Sequence, residues 1–326
     1  MKKSLHYILI ALASISSALV QAHSLNNETQ RYQPTTHQPH QEKAFFQAVD
    51  KHYRSQTKRI NAISASLLGL PYVDNDTGKD KPVKQTGNPL YRFHSFDCMT
   101  YVEAVLAGVM SNSKQSFGAK LVDIRYKHGK VSFITRNHFP SADWFPNNKG
   151  KLIEATYRVS GKATKIASAL INKRAWYHHF TLDNIQDGDL DITQRQHLLA
   201  KLRRESNKMP TKMVHLPYVP LTDLFVKTAP NHIKVNTALL KRIPDGSIIS
   251  MVRPNWPIKD RIGTNMNVSH MGFAIRKQGQ LYFREASEIK GKIVDVNFVQ
   301  YLYYYYRESK TLKGFNVHVL APKYHV

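Results

Sequence analysis

The chain has 326 residues and one cysteine, Cys98, and the residues around it suit a nucleophile. The stretch from His94 to Met110 reads HSFDCMTYVEAVLAGVM. A polar lead, Ser95-Phe96-Asp97, runs into Cys98. Tyr101, Val102, Val105, Leu106 and Val109 then recur at helical spacing. Ser95 or Asp97 can cap this helix, because a side-chain oxygen accepts one of the orphan N–H groups of the first turn. A cysteine there meets unpaired N–H groups and the positive end of the helix dipole, and both favour thiolate, the attacking form. The competing use is a buried cysteine that packs as a small apolar residue.

A thiolate nucleophile needs a base to carry its proton, and the base needs an orienting partner. His270, in Val268-Ser-His-Met-Gly-Phe-Ala-Ile275, opens a predicted strand at a sheet edge that a helix N-terminus can reach. His138, in a loop rich in aromatic residues, is the rival. After a turn at Lys277–Gly279 the chain returns through Arg284-Glu-Ala-Ser287, which brings Glu285 back to the level of His270. A carboxylate there would accept the imidazole N–H and fix its tautomer. The competing use of Glu285 is an ion pair with Arg284 or Arg307 at the surface.

Those three residues must be positioned by the rest of the chain. Residues 41–68 carry a helical pattern (Phe45, Val49, Tyr53, Ile60, Ile63, Leu67) that stops at Gly69-Leu70-Pro71-Tyr72. A polar loop over 73–90 leads to the cysteine helix. A hairpin is predicted next, 121–126 paired with 131–135 across His128-Gly129. The loop Arg136 to Phe145 follows, with large aromatic and hydrogen-bonding groups suited to a binding wall. Residues 166–174 are read as helical, 192–207 as a charged helix and 214–221 as extended, since the residue before each proline is pushed away from helix. Residues from about 150 to 235 form an insertion or cover. The C-terminal third reads as strands over 246–252, 271–276, 280–287, 292–296 and 314–320, with a tyrosine-rich helix over 297–307. A cysteine helix followed by a meander of strands predicts an α+β fold, an antiparallel sheet packed against helices.

The first 22 residues have a lysine pair, an apolar run from Ile8 to Val20 and the small-residue exit Val20-Gln21-Ala22. This reads as an export signal cleaved near Ala22, with too short an apolar run to span a bilayer. Residues 23–41 read as a flexible polar arm, and 42–326 as a single domain. Export places the protein in the periplasm or outside the cell, where an unpaired thiol is exposed to oxidation and is retained for its chemistry. The formal charge is +24. Lysines and arginines are scattered and not interleaved with aromatics, so the charge suits cell-wall polymers at least as well as nucleic acid. No HExxH or tight His/carboxylate pair is present, so no metal or other cofactor is called for.

The motifs GLPYV, FDCMTYVEAVLA, SHMGFAI and REASEIKGKIVD, with RYKHGKVSFITRNHFPSADW between them, resemble the DUF1460 family. That family is an NlpC/P60-like branch of papain-fold cysteine hydrolases, described as N-acetylmuramoyl-L-alanine amidase-like. The likeness runs in pieces from about Leu67 to Leu302. It implies a papain-like core, Cys98 as nucleophile, His270 as base and peptidoglycan or a muropeptide as substrate. Tyr72 matches a tyrosine that lines the site in such enzymes and can donate to an oxyanion. The family usually has histidine where this chain has Glu285, and Gly-Asp where this chain has Asp245-Gly246-Ser247. The implied bond is MurNAc–L-Ala. A γ-D-Glu–diaminopimelate bond, or a wall-binding module without catalysis, are the open alternatives. Arg136, His138 and Trp144 are the candidate sugar or peptide contacts.

Overall fold

The cysteine helix forms because its cap is built into the sequence. Asp97 takes an extended conformation, and its Oδ1 accepts the Thr100 N–H at 2.7 Å while the Asp97 N–H donates to Thr100 Oγ1 at 3.0 Å. This reciprocal box satisfies two orphan donors and starts the helix at Cys98. In the computed structural model, which describes residues 39–73, 93–132, 134–185, 191–230 and 232–324, the helix runs Cys98–Val109 and is buried on every side from Thr100 onward. A largely apolar helix buried on all sides lies inside its fold, with its one carboxylate, Glu103, met by partners from outside the helix.

Three more helices enclose it: α1 (Pro39–Asp50), α2 (Gln56–Ala65) and α4 (Lys114–Arg125), with the cysteine helix as α3. The single helical run expected over 41–68 is thus two helices, the second capped by Ser55 through its bond to the Lys58 N–H. Helix α1 starts at Pro39, inside the stretch expected to be a polar arm. The hairpin expected over 121–135 is absent. Phe117, Leu121 and Ile124 are buried on α4, and Ser113 caps it, so helical spacing over twelve residues prevails over a short alternating window. One bridge, Tyr126 with Arg136, is what remains of the expected pairing. The expected export signal and arm up to residue 38, and residues 74–92 of the expected polar loop, lie outside the described residues.

The described residues then hold ten strands: β1 (Leu152–Glu154), β2 (Lys165–Asn172), β3 (Thr211–Pro220), β4 (Phe225–Ala229), β5 (His232–Val235), β6 (Ile248–Trp256), β7 (Met266–Lys277), β8 (Gln280–Ser287), β9 (Lys292–Asn297) and β10 (Gly314–Leu320). Among the described residues, eight of them form one antiparallel sheet in the order β2-β3-β10-β6-β7-β8-β9, with β1 also on β10. β4 and β5 pair with each other. The segment 166–174, expected as helix, is mostly strand. Ala167, Ala169 and Ile171 are buried while Ile166, Ser168 and Leu170 face out, a period of two. The region expected as an insertion or cover, about 150–235, thus contributes β2 and β3 to the main sheet. The expected helix over 192–207 is present as Ile192–Ser206.

Alternation along β7 feeds two cores. Met271, Phe273 and Ile275 join α1–α4, whereas Ala274 joins Met251, Phe283 and the tyrosine-rich helix Phe298–Glu308. The turn into β8 uses Gln278 and Gly279, both at positive φ (49° and 78°), the left-handed pair that a tight hairpin needs. Among the described residues no helix is long and apolar enough to cross a membrane.

Candidate functional site

Cys98 is the first residue of α3 and is partly exposed. Its neighbour in the cap, Asp97, is buried, and that burial pushes its carboxyl above the usual range while the Thr100 bonds hold it down. The capping role that sequence divided between Ser95 and Asp97 belongs to Asp97. Tyr72 forms a parallel bridge with Phe96, two residues before Cys98, and its N–H donates to the Gly291 carbonyl at 2.9 Å. The strand-like pair fixes the approach of the chain to the cysteine.

His270 lies on β7 opposite Met251 of β6. Its Nε2 hydrogen-bonds Glu285 Oε2 from β8, and Cys98 acts on the ring electrostatically from the start of α3. With Nε2 engaged by the carboxylate, Nδ1 is the nitrogen left to exchange a proton with sulfur. Burial alone would lower the affinity of the ring for a proton. Glu285 and then Cys98 reverse this and push it up to about 10. The ring is therefore held as imidazolium at neutral pH, between a carboxylate and a sulfur. Glu285 is itself buried, 3% exposed, and is not the surface ion-pair partner of an arginine. Arg284 instead points to Asp295, with Nε to Oδ1 at 2.6 Å.

A missing side chain makes room for this pairing. A Cβ on Gly272 would stand 2.5 Å from the Arg284 carbonyl oxygen and 2.7 Å from Phe283 Cε2. Without it, the Phe283 ring comes edge-on to His270 with centroids 5.7 Å apart. Tyr301 covers Phe283 at 5.2 Å. Burial and then the Glu285 charge keep the Tyr301 hydroxyl protonated well beyond its ordinary range.

The expected substrate contacts separate from one another. Arg136 is 1% exposed and Trp144 is fully enclosed, so neither can meet a wall fragment, which corrects the expectation for both. Arg136 belongs to a buried charge group. Glu103, on α3, takes Arg125 Nε at 2.7 Å and has Arg136 Nη2 at 3.7 Å. An enclosed carboxylate needs such partners, and a linear reading of the loop cannot see Glu103 supplying the demand. Trp144 packs edge-on against Phe145 at 5.3 Å in a short π-helical turn, Pro140–Trp144. His138 is half-buried beside Trp176, with ring centroids 4.5 Å apart. It is not the base beside Cys98.

Residues that sequence reasoning passed over also appear. Arg253 of β6 bonds to Ser269, next to His270. Ser269 stood in the SHMG motif, but only strand pairing shows that Arg253 reaches it. Among the described residues, no group of three or more His, Cys, Asp or Glu is placed to hold a metal.

The sequence profile of the AmiA-like family, N-acetylmuramoyl-L-alanine amidase-like, matches residues 62–306. A Legionella pneumophila protein of the DUF1460 family is similar in structure, with TM-score 0.78, 37% identity and coverage of 86% of this chain and 96% of that one. An N-acetylmuramoyl-L-alanine amidase from Bacteroides uniformis is similar at TM-score 0.55 and 22% identity, covering 81% of this chain and 98% of that one, a likeness of fold. No curated protein matches at a significant level.

Proposed function

We propose that this chain, which belongs to the AmiA-like family of N-acetylmuramoyl-L-alanine amidase-like proteins, is an exported cysteine amidase that opens the MurNAc–L-Ala bond of peptidoglycan fragments. The observation that carries this reading is the His270–Glu285 hydrogen bond on β7 and β8, with Cys98 at the start of α3 acting on the same ring. A sulfur at a helix start, an imidazolium and an orienting carboxylate are the parts of acyl transfer by a thiol. The same placement, a nucleophile on a helix N-terminus against a histidine on an antiparallel sheet, supports a papain-like NlpC/P60 core. In this reading residues 42–326 form one catalytic domain, with 150–235 inserted in it. The leader with Lys2, Lys3 and the apolar run supports export to the periplasm or beyond.

The Cys98 thiolate attacks the lactyl carbonyl carbon, and the carbonyl electrons move onto oxygen. The Cys98 backbone N–H, free of an intrahelical partner in the first turn, and the Tyr72 hydroxyl stabilise that oxyanion. His270 gives its proton to the L-alanine nitrogen as the C–N bond breaks, so the stem peptide leaves first. The sugar-lactyl group stays as a thioester. Neutral His270 then takes a proton from water, which attacks the thioester and restores the thiolate and the imidazolium. Glu285 keeps the ring in one orientation throughout. His138, half-exposed beside Trp176, is the proposed contact for the fragment outside the reacting bond.

Cys98→Ala tests this. The variant should lose muropeptide cleavage completely while still folding, with a single cooperative melt. Cleavage that continues in a folded Cys98→Ala protein sinks the cysteine mechanism.

A further inference from the structure

β6 and β7 pair Met251 with His270, and then Val252 with Val268. One residue of β7, Ser269, therefore has no opposite number: it is a bulge, immediately before His270. A bulge bends its strand and re-aims the neighbouring side chains, and it leaves local ladder bonds unmade. Something outside the ladder must hold it.

Arg253 does so. Its Nε donates to Ser269 Oγ at 3.0 Å. Its Nη1 donates to Ser309 Oγ at 3.1 Å and to Thr311 Oγ1, both just beyond the helix Phe298–Glu308. The guanidinium lies 4.9 Å from the Trp256 ring centre and 5.9 Å from that of Tyr305. Arg253 is 6% exposed, and these partners are all neutral hydroxyls and rings. A nearly enclosed cation is unfavourable to bury. The planar fork of donors ties three separate pieces of chain at one point, which a flexible ammonium cannot do.

We propose that Arg253 is a positioning residue: it fastens the Ser269 bulge and so holds His270 at the angle where its ring meets both Cys98 and Glu285. The consequence for catalysis rests on the amidase reading above, but the geometric claim does not. The titratable and charged groups around the ring are Cys98 from α3 and Glu285 from β8. Tyr301 and Tyr305 from the tyrosine-rich helix sense the same carboxylate, and Arg253 from β6 sits beside both tyrosines.

The test reads the ring directly. The imidazole of His270 is titrated by NMR in histidine-labelled wild type, Ser269→Ala, Ser269→Thr and Arg253→Lys, alongside melting curves and steady-state kinetics. In the wild type the ring should stay protonated to about pH 10. In Ser269→Ala and Arg253→Lys it should lose its proton at least one pH unit lower. Their kcat should fall about 10-fold or more with KM within about twofold, as small misplacements of a reacting group do. Ser269→Thr keeps the hydroxyl and should restore both values. Variants that melt earlier while the ring titrates as in wild type would show a merely structural role and overturn the proposal. So would a Ser269→Ala protein with wild-type kcat. Because the titration needs no substrate, its failure is distinct from failure of the amidase reading, which shows as cleavage surviving in Cys98→Ala.

Discussion

Glu285→Gln is the most informative single change at this site. It keeps the shape and most of the hydrogen bonding but removes the charge. His270 is lifted from 6.5 to about 10, burial opposing the lift and Glu285 and Cys98 driving it. At roughly 1.4 kcal/mol per pH unit the lift is worth about 5 kcal/mol. Because burial opposes the lift, the raising charges together exceed it, and Glu285, the first of the two, accounts for at least about half of the net lift, about 2.5 kcal/mol or about two pH units. The alkaline limb of kcat/KM reports loss of the imidazolium proton in the free enzyme. It should therefore move from about 10 in the wild type to about 8 in Glu285→Gln. The same pair stabilises the fold. A histidine raised in the folded state contributes fully below its unfolded value of 6.5 and loses that contribution as pH rises through about 10. The melting temperature of Glu285→Gln should thus trail the wild type at pH 7 and converge with it above pH 10. The assay is a pH series of muropeptide hydrolysis with a parallel series of thermal melts. An alkaline limb that stays in place in Glu285→Gln would refute the claim that the carboxylate holds the charge on His270.

Two further changes probe the supports of the site. Asp97→Ala removes the side-chain cap of the cysteine helix and should cost about 1 kcal/mol in urea denaturation, with Asp97→Asn recovering most of it. Gly272→Ala forces a Cβ to within 2.5 Å of the Arg284 carbonyl. It should cost about 1–3 kcal/mol by pushing β7 from β8, and a larger drop in kcat than in stability would mark the loosened His270–Glu285 pair.

Much of the site was legible in the chain because its parts are local or periodic. Asp97 and Thr100 sit three apart, as a cap box requires, and the apolar repeat after Cys98 fixes the helix. The β7–β8 hairpin could be read from its turn at Gln278-Gly279 and its alternation, and that placed Glu285 on the face of His270. What failed depended on distant partners. Arg136 and Trp144 look like a binding wall in sequence, yet Glu103 and Arg125 draw the arginine inward and Phe145 receives the ring. Residues 166–171 carry enough alanine and isoleucine to suit either helix or strand. Pairing with β3, which lies more than forty positions later, decides for strand. The support from Arg253 was invisible for the same reason, since it follows from a one-residue slip between β6 and β7 that no local pattern encodes.

The central claim is that Cys98 and His270 transfer the lactyl acyl group of a muropeptide to water. Mass spectrometry of the products from a defined MurNAc-tripeptide tests it most directly. The account predicts free MurNAc and the intact tripeptide in equal amounts from the wild type. Fragments cut after the D-glutamate residue, with the sugar still joined to L-alanine, would contradict it.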